Sequence, residues 1–297
     1  MCLPNKRTSD IHVASSPPSS GFEKNRRKIE YGLLAMSVIY GLVLAIDPPI
    51  SAATKYCDSP GTDASGECRR PDLLAYKVTA VLSMIVMGGM GVYNWHFSQR
   101  IKELAQKTTT PEERMFGYLP AADNQNVVMF CYQVWDFCVS LTIPEHREVI
   151  FLVHHFLAGV TSWFSLEYQM VPYYCIFYAG CSELSSIFLV FADADEFFPP
   201  TAPGEEGSSS AYGLFLESCK GLFVMTFFFY RVYGWIRMSF PLWEDTLHVL
   251  RTGSAEKQRP GRTGFLYVFL CLNVLLGALQ LFWFGQIIQK IVEVVQS

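Results

Sequence analysis

The sequence predicts an all-α, polytopic bundle of about seven transmembrane helices. Of the 297 residues, 51% are hydrophobic and only 17% are charged, against roughly 25% charged residues in an average soluble domain. Apolar runs recur along most of the chain at about the 20 residues that a helix needs to cross a hydrocarbon layer of roughly 30 Å. Breaks that contain proline and glycine, such as "FFPPTAPGEEGSSS", separate these runs and favour loops between the helices.

The first part of the chain is predicted to precede the main bundle. Residues 1–29 are rich in serine, proline and charge and have no signal-peptide core, so we expect a disordered polar segment. Residues 30–72 contain the first apolar run, which we expect to be a retained membrane helix, followed by a polar loop. Cys57 and Cys68 bracket this loop. They form a disulfide if the loop faces an oxidising lumen and stay as thiols otherwise.

Seven apolar runs are predicted to cross the membrane. In chain order they occupy about residues 31–46, 73–94, 126–143, 148–171, 173–192, 212–236 and 264–288. Lysine and arginine are more frequent in the connections on the side that holds the N-terminal segment. The positive-inside tendency therefore predicts a cytoplasmic N-terminus.

Polar side chains interrupt the third, fourth and fifth predicted spans. Asp136 lies in the third span, His154 and His155 stand side by side in the fourth, and Glu183 and Ser186 lie in the fifth. At 1.5 Å per residue from the connecting turns, these residues all reach one layer of the bilayer. Neighbouring helix positions point about 100° apart. We therefore expect one imidazole to face Asp136 and the other to face Glu183 and Ser186.

These groups have two possible roles that the residues alone leave open. A polar group in hydrocarbon costs roughly 2 to 4 kcal/mol on insertion scales, so it faces the bundle interior and a partner. The groups either only fix helix register or form a functional site. No metal is expected, because the chain has six histidines without an HxxxH or HxxHH series. The net charge of −4 provides no basic face for a nucleic acid partner.

Other charged residues in the predicted spans have simpler interpretations. Arg231 is expected to pair with Glu167, hold an anionic lipid head group or extend to the interface. Lys77 is expected to extend to the interface. Glu217 and Lys220 are three residues apart and are expected to pair with each other.

Five stretches, taken together, resemble the TLC domain family, which includes the ceramide synthases, the translocation-associated membrane proteins and several lipid-regulating proteins. They are "YQVWDF" (132–137), the His154–His155 pair, "ELSSIFL" (183–189), "FFFYRVYGW" (227–235) and "LQLFWFGQII" (279–288). The resemblance implies that residues 73–292 form a TLC domain of six helices, with the first helix as an addition. It also implies a cytoplasmic C-terminus, as in ceramide synthases, which conflicts with the charge count and leaves the orientation open.

The resemblance also implies a function. In ceramide synthases the histidine pair acts with two aspartates, spaced DxxD on the next helix, in acyl transfer. Here the matching stretch contains Glu183 and Ser186, so a carboxylate expected to orient or activate the nucleophile is missing. "ELSSIFL" resembles instead the non-synthase members, which are associated with membrane phospholipid composition. We therefore expect a multi-pass protein of the endoplasmic reticulum or another endomembrane, with membrane lipids as its partners and without ceramide synthase activity.

The resemblance and the polar layer together give the candidate site residues. The candidate catalytic residues are His154, His155 and Glu183, and the candidate lipid-binding residues are Asp136, Ser186 and Arg231. The alternative is an acyl-CoA-dependent acyltransferase of ceramide-synthase type that uses the histidine pair. Acyl-CoA is a co-substrate only in that case, and no other cofactor is expected. A transporter or assembly partner is a third possibility, because intramembrane charges also mark conduction paths.

Overall fold

A computed structural model of the protein describes residues 20–51, 71–196 and 211–296. Its α-helices are α1 (Gly21–Ser51), α2 (Pro71–Phe97), α3 (Gln99–Leu104), α4 (Pro111–Phe116), α5 (Pro120–Ser140), α6 (Val149–Tyr168), α7 (Pro172–Tyr178), α8 (Leu184–Ala192), α9 (Ala211–Thr226), α10 (Trp235–Arg251), α11 (Ser254–Gln258) and α12 (Gly264–Gln296). Three 3₁₀ turns (Pro144–His146, Cys181–Glu183 and Asp193–Glu196) and one π-helical segment (Phe227–Gly234) complete the helical structure. The described residues contain no β-strand, which confirms the all-α prediction.

The N-terminal segment is more ordered than the sequence analysis expected. Residues 21–29 form the first turns of α1. Ser20 Oγ accepts a hydrogen bond of 3.0 Å from the Glu23 backbone N–H, which is the Ser-x-x-Glu spacing of a helix capping box. Residues 1–19 and the proposed disulfide partners Cys57 and Cys68 lie outside the described residues.

Six helices of the described chain are long and apolar enough to cross a membrane: Gly21–Ile46, Pro71–Phe97, Val149–Tyr168, Pro172–Ala192, Ala211–Arg251 and Gly264–Glu293. The protein is therefore a multi-pass integral membrane protein. The third predicted span forms α5 but is not among these six helices, because the buried face of α5 is polar. It includes Asp123, Gln125, Asn126, Gln133 and Asp136.

Successive long helices run in opposite directions, which gives the bundle two membrane faces. We call the face at which α1 and α5 begin the N-face; there Lys24 Nζ lies 3.4 Å from Asp123 Oδ2. The opposite face, which we call the C-face, contains the start of α2 and the turn between α5 and α6. At this face Tyr76 packs against His146 with ring centroids 4.2 Å apart.

The fifth predicted span is not one continuous helix. It consists of α7, a 3₁₀ turn and α8, and the break contains Gly180, which lies against Gly91 of α2. A Cβ on Gly91 would come within 2.3 Å of Gly180 backbone atoms, and a Cβ on Gly180 within 2.5 Å of Gly91 Cα. The two glycines therefore allow a close backbone contact that no larger residue permits.

The sixth predicted span is part of a longer helical rod. Helix α9, the π-helical segment and α10 follow one another without a break over 41 residues, a length of about 62 Å at 1.5 Å per residue. This is about twice the thickness of a hydrocarbon layer. Pro241 lies inside α10.

The N-face end of the rod packs against short helices. We define α3, α4, α11 and the second half of α10 as the N-face cap. Arg114 of α4 donates two hydrogen bonds of 2.6 Å to the Asp245 carboxylate of α10, and Tyr174 donates a third. This carboxylate raises the pKa of Arg114. Arg259 donates hydrogen bonds to the carbonyl oxygens of Tyr168 (3.0 Å) and Gln169 (3.1 Å). These carbonyl groups lie at the C-terminal end of α6, where the helix itself provides no N–H partner.

Candidate functional site

The first polar cluster joins α5 to α6. We call it the histidine cluster; it consists of Gln133, Asp136, His154 and His155. His155 Nδ1 lies 2.6 Å from Asp136 Oδ2 and 2.6 Å from Gln133 Oε1. Because both oxygens are acceptors, Nδ1 is assigned the proton, and its N–H aligns better with Gln133. In the neutral ring, Nε2 is then the nitrogen with a free lone pair.

Several polar atoms of the histidine cluster and its surroundings have unused hydrogen-bonding capacity. His155 Nε2, His154 Nδ1 and Tyr132 Oη are buried and have no hydrogen-bond partner among the residues that the structure describes. The His154 ring packs edge-on against Trp283 of α12, with centroids 4.9 Å apart. A buried polar atom without a partner costs about 1 to 3 kcal/mol, so such a group of atoms at one place is unusual.

The second polar cluster lies around the break between α7 and α8. We call it the arginine cluster; it consists of Ser182, Glu183, Ser186, Arg231 and Gln280. Arg231 Nη2 lies 2.8 Å from Glu183 Oε2 and donates a 2.7 Å hydrogen bond to Ser186 Oγ. Its Nε donates to the Ser182 carbonyl oxygen at 2.8 Å, and its Nη1 donates to Gln280 Oε1 at 3.3 Å. All three guanidinium nitrogens are therefore hydrogen-bonded.

The Glu183 carboxylate is equally well satisfied. Its Oε2 accepts hydrogen bonds from Arg231 and from Ser186 Oγ (2.9 Å), and its Oε1 accepts one from Ser182 Oγ (3.3 Å). Both charged side chains are buried. The two opposite charges compensate each other, and the additional hydrogen bonds offset the cost of removing them from water.

Two local irregularities of the backbone bring the arginine cluster together. The break at Gly180 places Glu183 in a 3₁₀ turn, and the π-helical segment contains Arg231. A π-helical turn takes in more residues than an α-helical turn, so it changes the direction of the side chains that follow. Such segments are frequent at functional sites.

The two clusters lie close together around Tyr132, which belongs to α5. Tyr132 is in electrostatic range of Asp136 on one side and of Glu183 and Arg231 on the other. His154 is likewise in electrostatic range of Arg231. The polar layer predicted from the sequence therefore exists, but it is divided into two hydrogen-bonded groups.

An apolar cavity of about 60 Å³ lies beside the histidine cluster, on the side toward the N-face. It is lined by side chains of α5, α6, α7, α10 and α12. Met129 lies one helical turn from Gln133, and Ala158 and Ser162 continue the buried face of α6 that carries His155. The cavity therefore extends the same face of α6 away from the histidines.

The expected arrangement of the two histidines is half right. One imidazole faces Asp136, as predicted, and it is that of His155. The prediction that the other imidazole faces Glu183 and Ser186 is wrong, because Arg231 occupies that position and His154 packs against Trp283. A permanent cation is a stronger partner for a buried carboxylate than a neutral imidazole.

The expectations for the remaining charged residues had mixed outcomes. Arg231 pairs with Glu183 and not with Glu167. Lys77 pairs with Asp193 at 3.0 Å, where extension to the interface was expected. The pair of Glu217 and Lys220 is confirmed at 3.0 Å.

Five residues of these clusters or their surroundings were not among the candidate site residues: Tyr132, Gln133, Ser182, Gln280 and Trp283. Gln133 and Tyr132 precede Asp136 in the "YQVWDF" stretch, and the three-residue spacing of Gln133 and Asp136 already places them on one helix face. Gln280 and Trp283 stand three residues apart on α12, a spacing that ordinary helix packing also explains. Only their contacts with Arg231 and His154 distinguish them.

Comparisons with known proteins were made for the whole chain. The family model described as TLC domain matches residues 75–289, which is more than two thirds of the chain. No curated protein matches the chain. In residues 20–51, 71–196 and 211–296, no three His, Cys, Asp or Glu side chains are grouped so that they could hold a metal ion.

Proposed function

This chain belongs to the TLC domain family, and we propose that it binds a membrane lipid at the histidine cluster and thereby influences membrane lipid composition. The proposed location is the endoplasmic reticulum or another endomembrane, as the family resemblance implies. The proposed function does not include ceramide synthesis.

The observation that carries this proposal is the unused hydrogen-bonding capacity next to an apolar cavity. His155 Nε2, His154 Nδ1 and Tyr132 Oη offer both donor and acceptor positions to a lipid head group. Ligand sites typically combine a few such polar groups with an apolar lining. The cavity of about 60 Å³ is far smaller than a typical site of at least roughly 300 Å³. It therefore accommodates only the start of an acyl chain. In this proposal the rest of the acyl chain lies along the lipid-facing surface of the bundle.

The pairing of Glu183 supports a function other than ceramide synthesis. Ceramide synthases carry two aspartates where this chain has Glu183 and Ser186. Here the single carboxylate is bound to Arg231 and two serines, so it is not free to orient or deprotonate a nucleophile. Arg231 is likewise engaged, and its role in the proposal is to hold Glu183 rather than to contact the lipid.

The proposal is tested by measuring bound lipid. We expect the purified full chain to retain lipid through detergent exchange in native mass spectrometry, and His155→Ala and Asp136→Asn to lose most of it. His248→Ala is the control, because His248 is exposed on α10 at the N-face. Equal retention by all four proteins contradicts the proposal. Unchanged lipid profiles in microsomes with and without the protein contradict the role in lipid composition.

A second candidate function is acyl transfer, and one observation favours it. Gln133 Oε1 and Asp136 Oδ2 both lie 2.6 Å from His155 Nδ1, and Nε2 has no partner in the described chain, which resembles the arrangement of a histidine general base. Purified protein supplied with labelled acyl-CoA and an amine or lysolipid acceptor should then form product, and His155→Ala should abolish it. Absence of product with every acceptor, or turnover unchanged by the substitution, eliminates this candidate.

A further inference from the structure

A second cavity lies at the N-face, and we call it the N-face cavity. It has a volume of about 100 Å³ and is bounded by the loop between α4 and α5, the junction of α6 and α7, and Arg259 at the end of α11. None of its lining residues belongs to the histidine cluster or to the arginine cluster. One water molecule needs roughly 10 to 15 Å³, and a typical site for a whole ligand measures at least roughly 300 Å³. The N-face cavity therefore has room for an ion or a lipid head group but not for a whole lipid.

The inner wall of the N-face cavity is polar. Asp123 and Asn126 of α5 and Ser165 of α6 are all buried here. Asn126 Nδ2 donates a hydrogen bond of 3.0 Å to Ser165 Oγ, and Gln169 Nε2 donates one of 3.2 Å to Asp123 Oδ1. These bonds join α5 to α6, so the polar wall is part of the helix packing rather than a group of loose surface side chains.

The backbone beside the N-face cavity is strained. Gln169 ends α6 with a φ of 51°, and Val171 precedes α7 with a φ of 54°. A positive φ is a genuine outlier for a β-branched residue such as valine. The Val171 N–H donates to the Met115 carbonyl oxygen at 2.8 Å, so packing against α4 maintains this conformation. Strain of this kind clusters at functional sites.

Arg259 brings a positive charge to the N-face cavity. It is half-buried, and in the part of the chain that the structure describes it forms no ion pair with a carboxylate. Its hydrogen bonds go to the backbone carbonyl oxygens of Phe116, Tyr168, Gln258 and Gln169. Nη1 makes one of these bonds and carries two N–H groups, so one N–H is without a partner in the described chain. Carbonyl oxygens carry only partial charges, and a guanidinium partly removed from water is stabilised by an anion.

The surroundings of Arg259 do not supply this anion. Burial lowers the pKa of Arg259, and the neighbouring Arg262 lowers it further. Asp123 is the one carboxylate among the lining residues, and Lys24 Nζ lies 3.4 Å from its Oδ2. Two positive charges and one negative charge leave one net positive charge at the N-face cavity. Basic pockets at the ends of membrane helices suit the phosphate groups of lipids.

We propose that the N-face cavity binds the anion of a phosphate ester, with Arg259 as its main contact and Lys24 as the second positive group. The flat guanidinium matches the geometry of phosphate oxygens, and its unpaired N–H is available to donate. A phospholipid head group and a soluble phosphate ester share this chemistry. The site is separate from the one under the proposed function and does not depend on it.

The experiment measures binding of glycerol 3-phosphate to the purified full chain in uncharged detergent by equilibrium dialysis. Glycerol is the phosphate-free probe and should not bind. We expect Arg259→Gln to weaken binding at least about tenfold, because it removes a charged hydrogen bond, and Arg259→Lys to retain part of the affinity. Arg262→Gln is the matched control. Arg262 lies at the same helix end, where it donates to the Glu167 carbonyl oxygen, but it does not line the N-face cavity.

A variant with the opposite effect keeps the proposal testable if Arg259→Gln does not fold. Asp123→Asn removes the negative charge from the cavity wall and should strengthen binding several-fold, a gain that misfolding does not produce. No binding to the unmodified chain, equal binding of glycerol, equal affinities of Arg259→Gln and Arg262→Gln, or no gain in Asp123→Asn overturns the proposal.

A second arm identifies the source of the phosphate. The full chain is placed in phosphatidylcholine nanodiscs with and without phosphatidic acid. Displacement of glycerol 3-phosphate by phosphatidic acid supports a lipid head group as the ligand, and undiminished binding supports a soluble phosphate ester. The variants change only residues at the N-face, so failure here leaves the lipid-retention test of the histidine cluster unaffected.

Discussion

The arginine cluster and the histidine cluster are made of similar side chains at neighbouring positions, but they differ in how completely their polar atoms are paired. Each guanidinium nitrogen of Arg231 and each carboxylate oxygen of Glu183 has a partner within the clusters. In the described chain, three polar atoms in and beside the histidine cluster have no hydrogen-bond partner: His155 Nε2, His154 Nδ1 and Tyr132 Oη. From this difference we propose that the arginine cluster holds helices together and that the histidine cluster keeps polar atoms available for a ligand.

The largest effect is expected from Arg231→Ala. The substitution leaves Glu183 buried without its cation, and breaking a buried ion pair from one side typically costs about 3 to 5 kcal/mol. Equilibrium unfolding in mixed micelles measures this loss. The control is Arg237→Ala, which removes an exposed arginine from the same rod.

A double substitution sharpens this prediction. Glu183→Gln combined with Arg231→Gln removes both charges, so it should recover part of the lost stability. A loss of stability as small as that of Arg237→Ala would show that the arginine cluster does not hold the helices together.

A smaller effect is expected from Gly180→Ala, which tests how the arginine cluster is assembled. The new methyl group would meet the Gly91 backbone at 2.5 Å, and overpacking of this kind costs about 1 to 3 kcal/mol. Gly89→Ala is the matched control, because a Cβ at Gly89 meets nothing within 4 Å. If the two variants unfold alike, the close approach of α2 to the break is unimportant for stability.

Asp136→Asn should separate stability from binding. Asparagine keeps an oxygen acceptor for His155, so we expect a loss of only about 1 kcal/mol, well below that of Arg231→Ala. Lipid retained by the purified protein should nevertheless fall, because the carboxylate that orients His155 is gone. A variant that keeps its lipid but unfolds as readily as Arg231→Ala would reverse the roles that we assign to the two clusters.

The effect that is smallest at neutral pH is the change in pH dependence caused by His146→Gln. The pKa of His146 is about 4 in the folded protein and about 6.5 in an unfolded chain, so the unfolded state binds more protons between these values. Stability should therefore fall as the pH is lowered from about 6.5 to 4. Melting temperatures at several pH values should show a shallower fall in His146→Gln, while the same slope in both proteins contradicts a buried His146.

The sequence predicted the helical bundle because hydropathy depends on composition alone. It also predicted that one of the two imidazoles faces Asp136, because a short turn joins α5 to α6 and fixes their relative depth, but it did not identify His155 as that residue. It did not predict that α5 is too polar to be recognised as a membrane helix by its hydropathy. Three of the polar residues, Gln125, Asn126 and Gln133, are nevertheless visible in its sequence. Their burial becomes evident only when the surrounding helices are known.

The partner of Glu183 could not be predicted from spacing. The depth argument assumes straight helices, whereas the break at Gly180 and the π-helical segment at Phe227–Gly234 both change the direction of side chains. Neither irregularity alters the average hydropathy of its span. Gly91 and Gly180 lie far apart in sequence, so their contact was not visible in either segment.

The rod formed by α9, the π-helical segment and α10 has a mechanical consequence. Asp245, bound to Arg114 in the N-face cap, and Arg231, bound to Glu183 inside the bundle, belong to the same rod. Pro241 lies between them and lacks the N–H that would complete the backbone ladder. We therefore expect the rod to bend most readily around Pro241, between its two anchored ends, and such a bend would tilt the cap relative to the bilayer while both anchors remain intact.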